Sequence, residues 1–313
     1  DRRDFTVAGA AAGVATAFGA PVGGLLFAME EVASYWEPQL SWLIFFGTML
    51  AVSTGDMFGS ALKAFQPTGT TFGYFTDRSS ILFAVTQVIN INIACIVVAV
   101  VVGVMGGVLG ALFTFINLKI NRFRMQYILH RPWLRVGEVA LIMTVTSTVG
   151  VFLPLAFGCV ENDLVGEESE KVLRFGCEEG QYNPGATLLF ITGDKTIEHL
   201  FTRGTKDIFG YGPLLALFVV YYLLACWAAG SAVSSGLVVP MLLIGASYGR
   251  VVGLLLNQIF GSDADELYNW MDPGVWALVG ASSFFAGVSR LTIALVVIML
   301  EISNDVHFLL PIM

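Results

Sequence analysis

Charged side chains are scarce in this sequence. Asp, Glu, Lys and Arg make up 13% of its 313 residues, whereas hydrophobic residues make up 56%. Soluble domains carry about 25% charged residues, so this composition argues against a large soluble core and indicates a membrane protein. Glycine is frequent instead, at 34 residues, and small residues let membrane helices approach one another closely.

The signatures of common enzymes and metal sites are missing as well. The sequence has no P-loop, no H-E-x-x-H and no G-x-S-x-G motif, and its three histidines show no metal spacing. The glycine-rich stretch GVMGGVLG follows no predicted strand, so it indicates helix packing rather than a dinucleotide loop. We therefore predict that the chain is not an enzyme, with no catalytic residue, no metal and no nucleic-acid partner.

Apolar segments are abundant, and several of them are interrupted. Segments able to span a membrane cover residues 5–29, 40–58, 81–118, 136–157, 213–229, 236–256, 274–289 and 291–300, with a last one from about Val306. The segment 81–118 exceeds the roughly 20 residues needed to span, so it must tilt or include an interfacial or re-entrant part. Stretches such as GAAAGVATAFGAP and GASSFFAGVSR are broken in the way that transporters break the helices that bind ions.

The distribution of charge predicts which side of the membrane each long link faces. The link 119–135 carries five basic residues and no acid, which places it in the cytoplasm. The link 158–212 follows one span later, carries ten acids and five bases, and should face the lumen or the exterior. An oxidising compartment favours a disulfide between Cys159 and Cys177 in this link, and two free thiols are the alternative.

An internal repeat connects the two ends of the sequence. Residues 9–30 align with residues 280–301 at an offset of 271 positions, and both units close an apolar run with a carboxylate. Each unit is predicted to form two short helices in a row, interrupted near Pro21 or Arg290. Internal repeats are typical of transporters, whose substrate lies where the repeats meet.

The repeat separates two adjacent acids. Glu30 aligns with Glu301, so these two are interpreted as structural acids of the repeated scaffold. Glu31 has no acidic counterpart, and it is the candidate for carrying protons at the edge of the membrane. The alternative is that Glu30 and Glu31 are a pair of solvated acids at a helix end.

The stretch SSGLVVPMLLIG is the second candidate site. Small polar residues and Gly236 precede an apolar helix, and the first N–H groups of a helix form an anion site without a formal charge. Gly236 lets an ion approach the backbone, and Pro240 in the first turn removes no hydrogen bond that the helix needs. Such a site suits a weakly held, permeating anion such as chloride, and an ordinary capped helix is the alternative.

With these motifs in place, the sequence resembles the CLC family of chloride channels and chloride/proton exchangers over essentially its whole length. The resemblance is carried by GAAAGVATAFGAPVGGLLFAMEE, SSGLVVPMLLIGASYGR, MDPGVWALVGASSFFAG and VVIMLEISND. It implies an all-α, polytopic membrane protein with an inverted repeat of short, tilted and broken transmembrane helices. Residues 1–313 would form part of the CLC transmembrane domain, with 158–212 as its lumenal or extracellular acidic loop.

The resemblance also implies roles for particular residues. The family's G-x-F-x-P motif matches Gly236, Leu237, Val238, Val239 and Pro240. The amides of Leu237 and Val238 would face chloride, although Val238 replaces the phenylalanine of the motif. The family's internal proton-transfer glutamate matches Glu31, and many channels of the family lack an acid there.

The resemblance implies a homodimer in membrane lipid that transports chloride, or nitrate in a plant-like member, together with protons. HRPWLRVGEV and CEEGQYNP look most like the lysosomal and vacuolar branch, which implies an endomembrane location, with the plasma membrane as the alternative. The acid at position 31 favours an antiporter; a passive voltage-gated channel and a non-transporting scaffold or receptor are the other hypotheses.

Other elements of the family are expected outside the sequence. The start DRRD and the end inside an apolar segment indicate a piece of a longer membrane protein. The gating glutamate and the serine motif would precede Asp1, and the central-site tyrosine and a nucleotide-binding module would follow Met313. No cofactor is therefore expected within residues 1–313, where chloride is the transported ligand.

Overall fold

Helices dominate the described part of the computed structural model, because an apolar environment requires backbone groups to be hydrogen-bonded within their own segment. Within that part, the strands are an antiparallel pair of two residues each, β1 (Val160–Glu161) and β2 (Gln181–Tyr182). The predicted all-α, polytopic class is confirmed. The structure describes residues 2–64, 93–161, 172–205, 208–260 and 270–313.

The helices differ widely in length, from four to 35 residues. In chain order they are α1 (Arg2–Phe18), α2 (Pro21–Phe27), α3 (Pro38–Ala64), α4 (Ile93–Tyr127), α5 (Pro132–Phe152), α6 (Pro184–Leu189), α7 (Gly193–Phe201), α8 (Tyr211–Ala228), α9 (Val238–Phe260), α10 (Pro273–Ser289), α11 (Ile293–Ser303) and α12 (Leu309–Ile312). A π-helical turn (Ala28–Val32) follows α2, and 3₁₀ turns (Pro154–Ala156 and Val306–Phe308) follow α5 and precede α12. The chain divides into two compact units, one made of Asp1–Ile91 with Arg290–Met313 and the other of Asn92–Ser289.

The first unit has a small apolar core in which α1 packs against α2 and α3. Val7 and Ala11 of α1 are buried there together with Ala28 and Ile44. A Cβ on Gly24 would lie 2.6 Å from the carbonyl oxygen of Ala11. The absence of a side chain at Gly24 therefore allows α2 to lie directly against α1.

The break inside each repeat falls at the same aligned position. Gly19, between α1 and α2, and Arg290, between α10 and α11, both have a φ of 62°. They lie 271 positions apart, which is the offset of the repeat. The predicted succession of two helices is thus confirmed in both copies of the repeat. The interruption lies at Gly19 rather than at Pro21, because proline suits the first position of a helix and begins α2.

The second unit is built around α9 and α10, whose backbones touch. A Cβ on Gly245 of α9 would lie 2.5 Å from the Cα of Ala281, and one on Gly249 would collide with the carbonyl oxygen of Trp276. Helix α4 packs on α10 in the same way, through Gly106 and Gly110. Small residues four positions apart thus form the contact surfaces, as is usual between membrane helices.

Five described helices are long and apolar enough to cross a membrane. They are Pro38–Leu62, Ile93–Tyr127, Pro132–Ala156, Tyr211–Ala228 and Val238–Phe260. Each matches a predicted segment, although residues 81–92 of the segment 81–118 lie outside the described residues. The predicted segments 274–289 and 291–300 are the shorter apolar helices α10 and α11.

Both predicted links contain more regular structure than their polar composition indicated. Helix α4 runs to Tyr127 and α5 begins at Pro132, so most of the link 119–135 is helical. The described part of the acidic link 158–212 holds β1, β2, α6 and α7, and α7 buries Ile197 and Leu200. In the same link, Cys159 and Cys177 are joined by a disulfide, with their Cα atoms 5.8 Å apart.

The glycine contacts can be tested by substituting two glycines of α4. We expect Gly110→Ala to lower the thermal unfolding midpoint in detergent, because its Cβ would lie 2.6 Å from the carbonyl carbon of Gly287. Overpacking of this kind costs about 1–3 kcal/mol, more than the roughly 0.5–1 kcal/mol that alanine gains over glycine in a helix. Gly103→Ala is the matched control, because no atom lies within 4 Å of its Cβ position. Equal midpoints for the two variants would contradict the packing.

Candidate functional site

The two adjacent acids lie in a single π-helical turn. The turn Ala28–Val32 contains both Glu30 and Glu31, and the amide of Ala33 donates to the carbonyl of Ala28 at 2.9 Å. This bond spans five residues instead of four, and such turns occur frequently at functional sites. Sequence reasoning missed the turn, because nothing in AMEEV distinguishes it from a continued α-helix.

The carboxylate of Glu30 accepts hydrogen bonds at the start of α11. Oε1 accepts from the amide of Thr292 at 2.7 Å and from its hydroxyl at 2.6 Å, and Oε2 accepts from the amide of Ala294 at 3.0 Å. Burial alone would raise the pKa of Glu30, but these hydrogen bonds favour the ionised form and hold the pKa below its usual range. Although its side chain is exposed, Glu30 is therefore not simply a solvated acid.

The carboxylate of Glu301 occupies the equivalent place at the start of α2. Its Oε1 accepts from the amide of Val22 at 3.1 Å and its Oε2 from the amide of Gly23 at 2.7 Å. Each acid stands at the end of one helix and caps the beginning of the other, so α2 and α11 lie side by side and antiparallel. The structure thus gives Glu30 and Glu301 the same type of partner.

Glu31 differs from Glu30 in its surroundings. Its side chain is exposed, and no residue that the structure describes donates a hydrogen bond to it. One acid of the pair is therefore engaged in the scaffold, and the other carries no hydrogen bond from the described residues.

The motif from Gly236 to Pro240 forms the start of a helix, as predicted. Helix α9 begins at Val238, and its first intrahelical bond runs from the amide of Met241 to the carbonyl of Leu237 at 3.0 Å. The amides of Leu237, Val238 and Val239 precede that bond, so they lack helical partners. Within the described residues, no side chain accepts a hydrogen bond from them. Gly236 is exposed and the four residues after it are half-buried.

A cavity of about 250 Å³ borders the first turn of α9. Side chains of α5, α6 and α8 surround it, and only Thr146 and Tyr221 among them are polar. The lining residues are Thr146, Val149, Gly150, Leu189, Val220, Tyr221, Leu224, Ala225, Ala228 and Pro240. No charged side chain is among them, so the helix start remains the electropositive element at this place.

A polar cluster from α4 and α5 holds the chain that leads into the motif. Asn117 donates to the carbonyls of Cys226 and Ala229, both at 3.0 Å. Arg124 donates to the carbonyls of Trp227 at 2.9 Å and Ala229 at 3.2 Å. These bonds satisfy the carbonyls at the end of α8, from which the segment to the anion motif departs.

Arg124 also forms a buried ion pair with Glu138. The shortest distance between the two side chains is 2.7 Å, and they are 9% and 7% exposed. Sequence reasoning used Arg124 only as one of the five basic residues of the link 119–135 and did not predict this buried partner. The available signal was Glu138, a lone acid in the apolar segment 136–157.

Arg250 plays a similar part at the end of α7. Its Nη1 donates to the carbonyls of His199 at 3.1 Å and Leu200 at 2.6 Å, and its Nη2 donates to the carbonyl of Thr205 at 2.7 Å. The side chain of Arg250 is 1% exposed. A buried charge of this kind is tolerated because several carbonyl oxygens surround it.

Comparison with known proteins identifies relatives along the whole chain. A family model described as voltage gated chloride channel matches residues 1–313. The chain is 40% identical over 321 residues to H(+)/Cl(-) exchange transporter 7 of Homo sapiens, covering 100% of this chain and 37% of that protein. It is 34% identical over 389 residues to chloride channel protein D of Dictyostelium discoideum, covering 100% of this chain and 37% of that protein. The chain thus spans well under half the length of these curated relatives.

A solved structure shares the fold. The structure of a slow cyanobacterial Cl-/H+ antiporter superposes with a TM-score of 0.65 at 18% identity, covering 98% of this chain and 57% of that one. At this identity the likeness concerns the arrangement of the helices.

The buried ion pair can be tested by removing one charge. We expect Glu138→Gln to destabilise the protein by about 3–5 kcal/mol, the usual effect of leaving one charge of a buried pair uncompensated, read as a lower thermal midpoint in detergent. Glu179→Gln is the matched control, because its pair with Arg174 is largely exposed, at 95% and 56%, and should leave the midpoint unchanged. Similar shifts for both variants would show that the pair with Arg124 does not support the fold.

Proposed function

Because the chain belongs to the voltage gated chloride channel family, which is the CLC family, we propose that it is part of a membrane protein that exchanges chloride for protons. The observation that carries this proposal is that the two adjacent acids of the π-helical turn differ in their hydrogen bonding. Glu30 is bound to α11, whereas Glu31 beside it is exposed and accepts no hydrogen bond from the described residues. The identity of 40% to a protein named as an H(+)/Cl(-) exchange transporter supports the same reading.

Chloride binds at the start of α9 in this proposal. The amides of Leu237 and Val238 contact the anion, and the positive end of the helix dipole supplies the attraction. Gly236 leaves the approach to the backbone open, and Val239 and Pro240 complete the motif. Because no charged side chain borders the neighbouring cavity, the anion is held weakly enough to move on.

Protons pass through Glu31. Ionisable side chains in membrane domains are energetically costly and often mark proton pathways, and Glu31 has no acidic counterpart in the repeat. Its exposure lets it take protons from water and deliver them into the protein.

The setting of this transport is also a proposal. The protein is a multi-pass homodimer, most suited to an endomembrane, with the segment 158–212 on the lumenal side. The disulfide between Cys159 and Cys177 supports that side, because disulfides persist in oxidising compartments. Chloride or a related anion is the transported ligand, and residues 1–313 require no cofactor.

A passive, voltage-gated chloride channel of the same fold is the second candidate. It is favoured by the likeness to chloride channel protein D. The two functions differ in the reversal potential of the full-length protein under a pH gradient. An exchanger shifts its reversal potential with the gradient, whereas a passive channel follows chloride alone.

The role of Glu31 can be tested with Glu31→Gln in the full-length protein reconstituted into liposomes. We expect proton flux to fall by about 100-fold, because a positioned proton-transfer group contributes at least that factor, while chloride flux persists. The measurement records both fluxes in one preparation. Glu37→Gln is the control, because Glu37 is another exposed acid of the same unit. An unchanged ratio of proton flux to chloride flux in Glu31→Gln would contradict the proposal.

A further inference from the structure

Glu30 and Glu301 make reciprocal contacts, and the residues that they contact occupy aligned positions of the internal repeat. Ala294, which donates to Glu30, aligns with Gly23, which donates to Glu301. The two acids themselves align at the same offset of 271 positions. Each repeat therefore uses its closing carboxylate to bind the second helix of the other repeat.

The two caps differ at one position, and the difference has a simple cause. Thr292 donates both its amide and its hydroxyl to Glu30, whereas the aligned residue Pro21 has no N–H to donate. Glu301 accordingly bonds to the next amides, those of Val22 and Gly23. The cap on α11 thus has three hydrogen bonds and the cap on α2 has two.

Close packing accompanies the caps. A Cβ on Gly23 would lie 2.5 Å from Cγ1 of Ile298 and 3.1 Å from Oε2 of Glu301. Helix α2 can therefore lie against α11 only because residue 23 has no side chain. The carboxylate of Glu301 bonds to the amide of this same glycine.

Both caps act on the segment that carries Glu31. Glu301 caps the start of α2. Glu30 lies in the π-helical turn that follows α2, one residue before Glu31, and fixes this turn to the start of α11. We propose that Glu30 and Glu301 are paired positioning residues, a carboxylate clasp that locks α2 against α11 and so sets the place of Glu31. This inference rests on the proposed role of Glu31.

The clasp is expected to act as one device. Hydrogen bonds from amides to a carboxylate are charge-assisted and therefore among the stronger ones. Because both caps hold the same pair of helices, the loss of one loosens the geometry that the other needs. Residues coupled in this way show non-additive effects when both are changed.

The test uses Glu30→Gln, Glu301→Gln and the double variant in the full-length protein in liposomes. Each single change should lower proton flux about tenfold, the factor that one lost hydrogen bond to a charged group can produce, while chloride flux changes less than about twofold. In detergent, the fall in thermal midpoint of the double variant should be clearly smaller than the two single falls added together. Glu37→Gln alters an exposed acid whose side chain caps no described helix, so it should change neither the proton flux nor the thermal midpoint.

The outcomes separate this inference from the proposed function. Normal proton flux in both single variants, with proton flux lost in Glu31→Gln, would overturn the clasp alone. Additive falls in the midpoint would also overturn it, because two independent caps do not form one device. If Glu31→Gln itself leaves coupling intact, the proposed function fails, and the midpoint measurement still decides whether the clasp exists.

A milder variant covers the case in which a glutamine variant does not fold. Thr292→Val removes only the hydroxyl that bonds to Glu30 at 2.6 Å and leaves the amide bonds in place. We expect proton flux to fall by about threefold, less than in the glutamine variants, because only one of the three hydrogen bonds to Glu30 is lost. Unchanged proton flux in this variant would count against the clasp.

Discussion

Every helix end leaves backbone N–H or C=O groups that need a hydrogen-bond partner, and the rest of this structure depends on how those groups are satisfied. Broken helices multiply such ends in a chain where water is scarce. At four of these ends, the described residues supply side chains that come from other segments. The contacts join Glu301 to α2, Glu30 to α11, Asn117 and Arg124 to α8, and Arg250 to α7.

The start of α9 differs from these four ends, and it shares its lack of a side-chain cap with the starts of α5, α7 and α8. The structure places polar or charged side chains on the starts of α2 and α11 and on the ends of α7 and α8. The amides of Leu237, Val238 and Val239 have no such partner among the described residues. In the chloride site that we propose, the anion supplies the hydrogen-bond acceptor that the described residues do not.

The repeat supplies a nearly symmetric scaffold, and single residues break the symmetry. Pro21 and Thr292 occupy aligned positions but give caps with two and three hydrogen bonds. Glu31 aligns with an apolar residue, Ile302, so only one repeat has a second acid after its cap. A scaffold held by paired carboxylates can thus present one further carboxylate at a defined place, and the proton route that we propose uses that asymmetry.

The sequence by itself determined the features that depend on local pattern. Composition indicated a membrane protein, glycine and proline marked the breaks, the 271-residue offset separated Glu30 from Glu31, and Ser-Ser-Gly predicted the start of α9. The tertiary structure alone decided the partners of these residues. Glu30 meets Thr292 across 262 positions and Arg124 reaches the end of α8 across more than 100. No local pattern encodes such pairs, because periodicity and propensity describe a segment, whereas a distant hydrogen-bond partner exists only once the helices have packed.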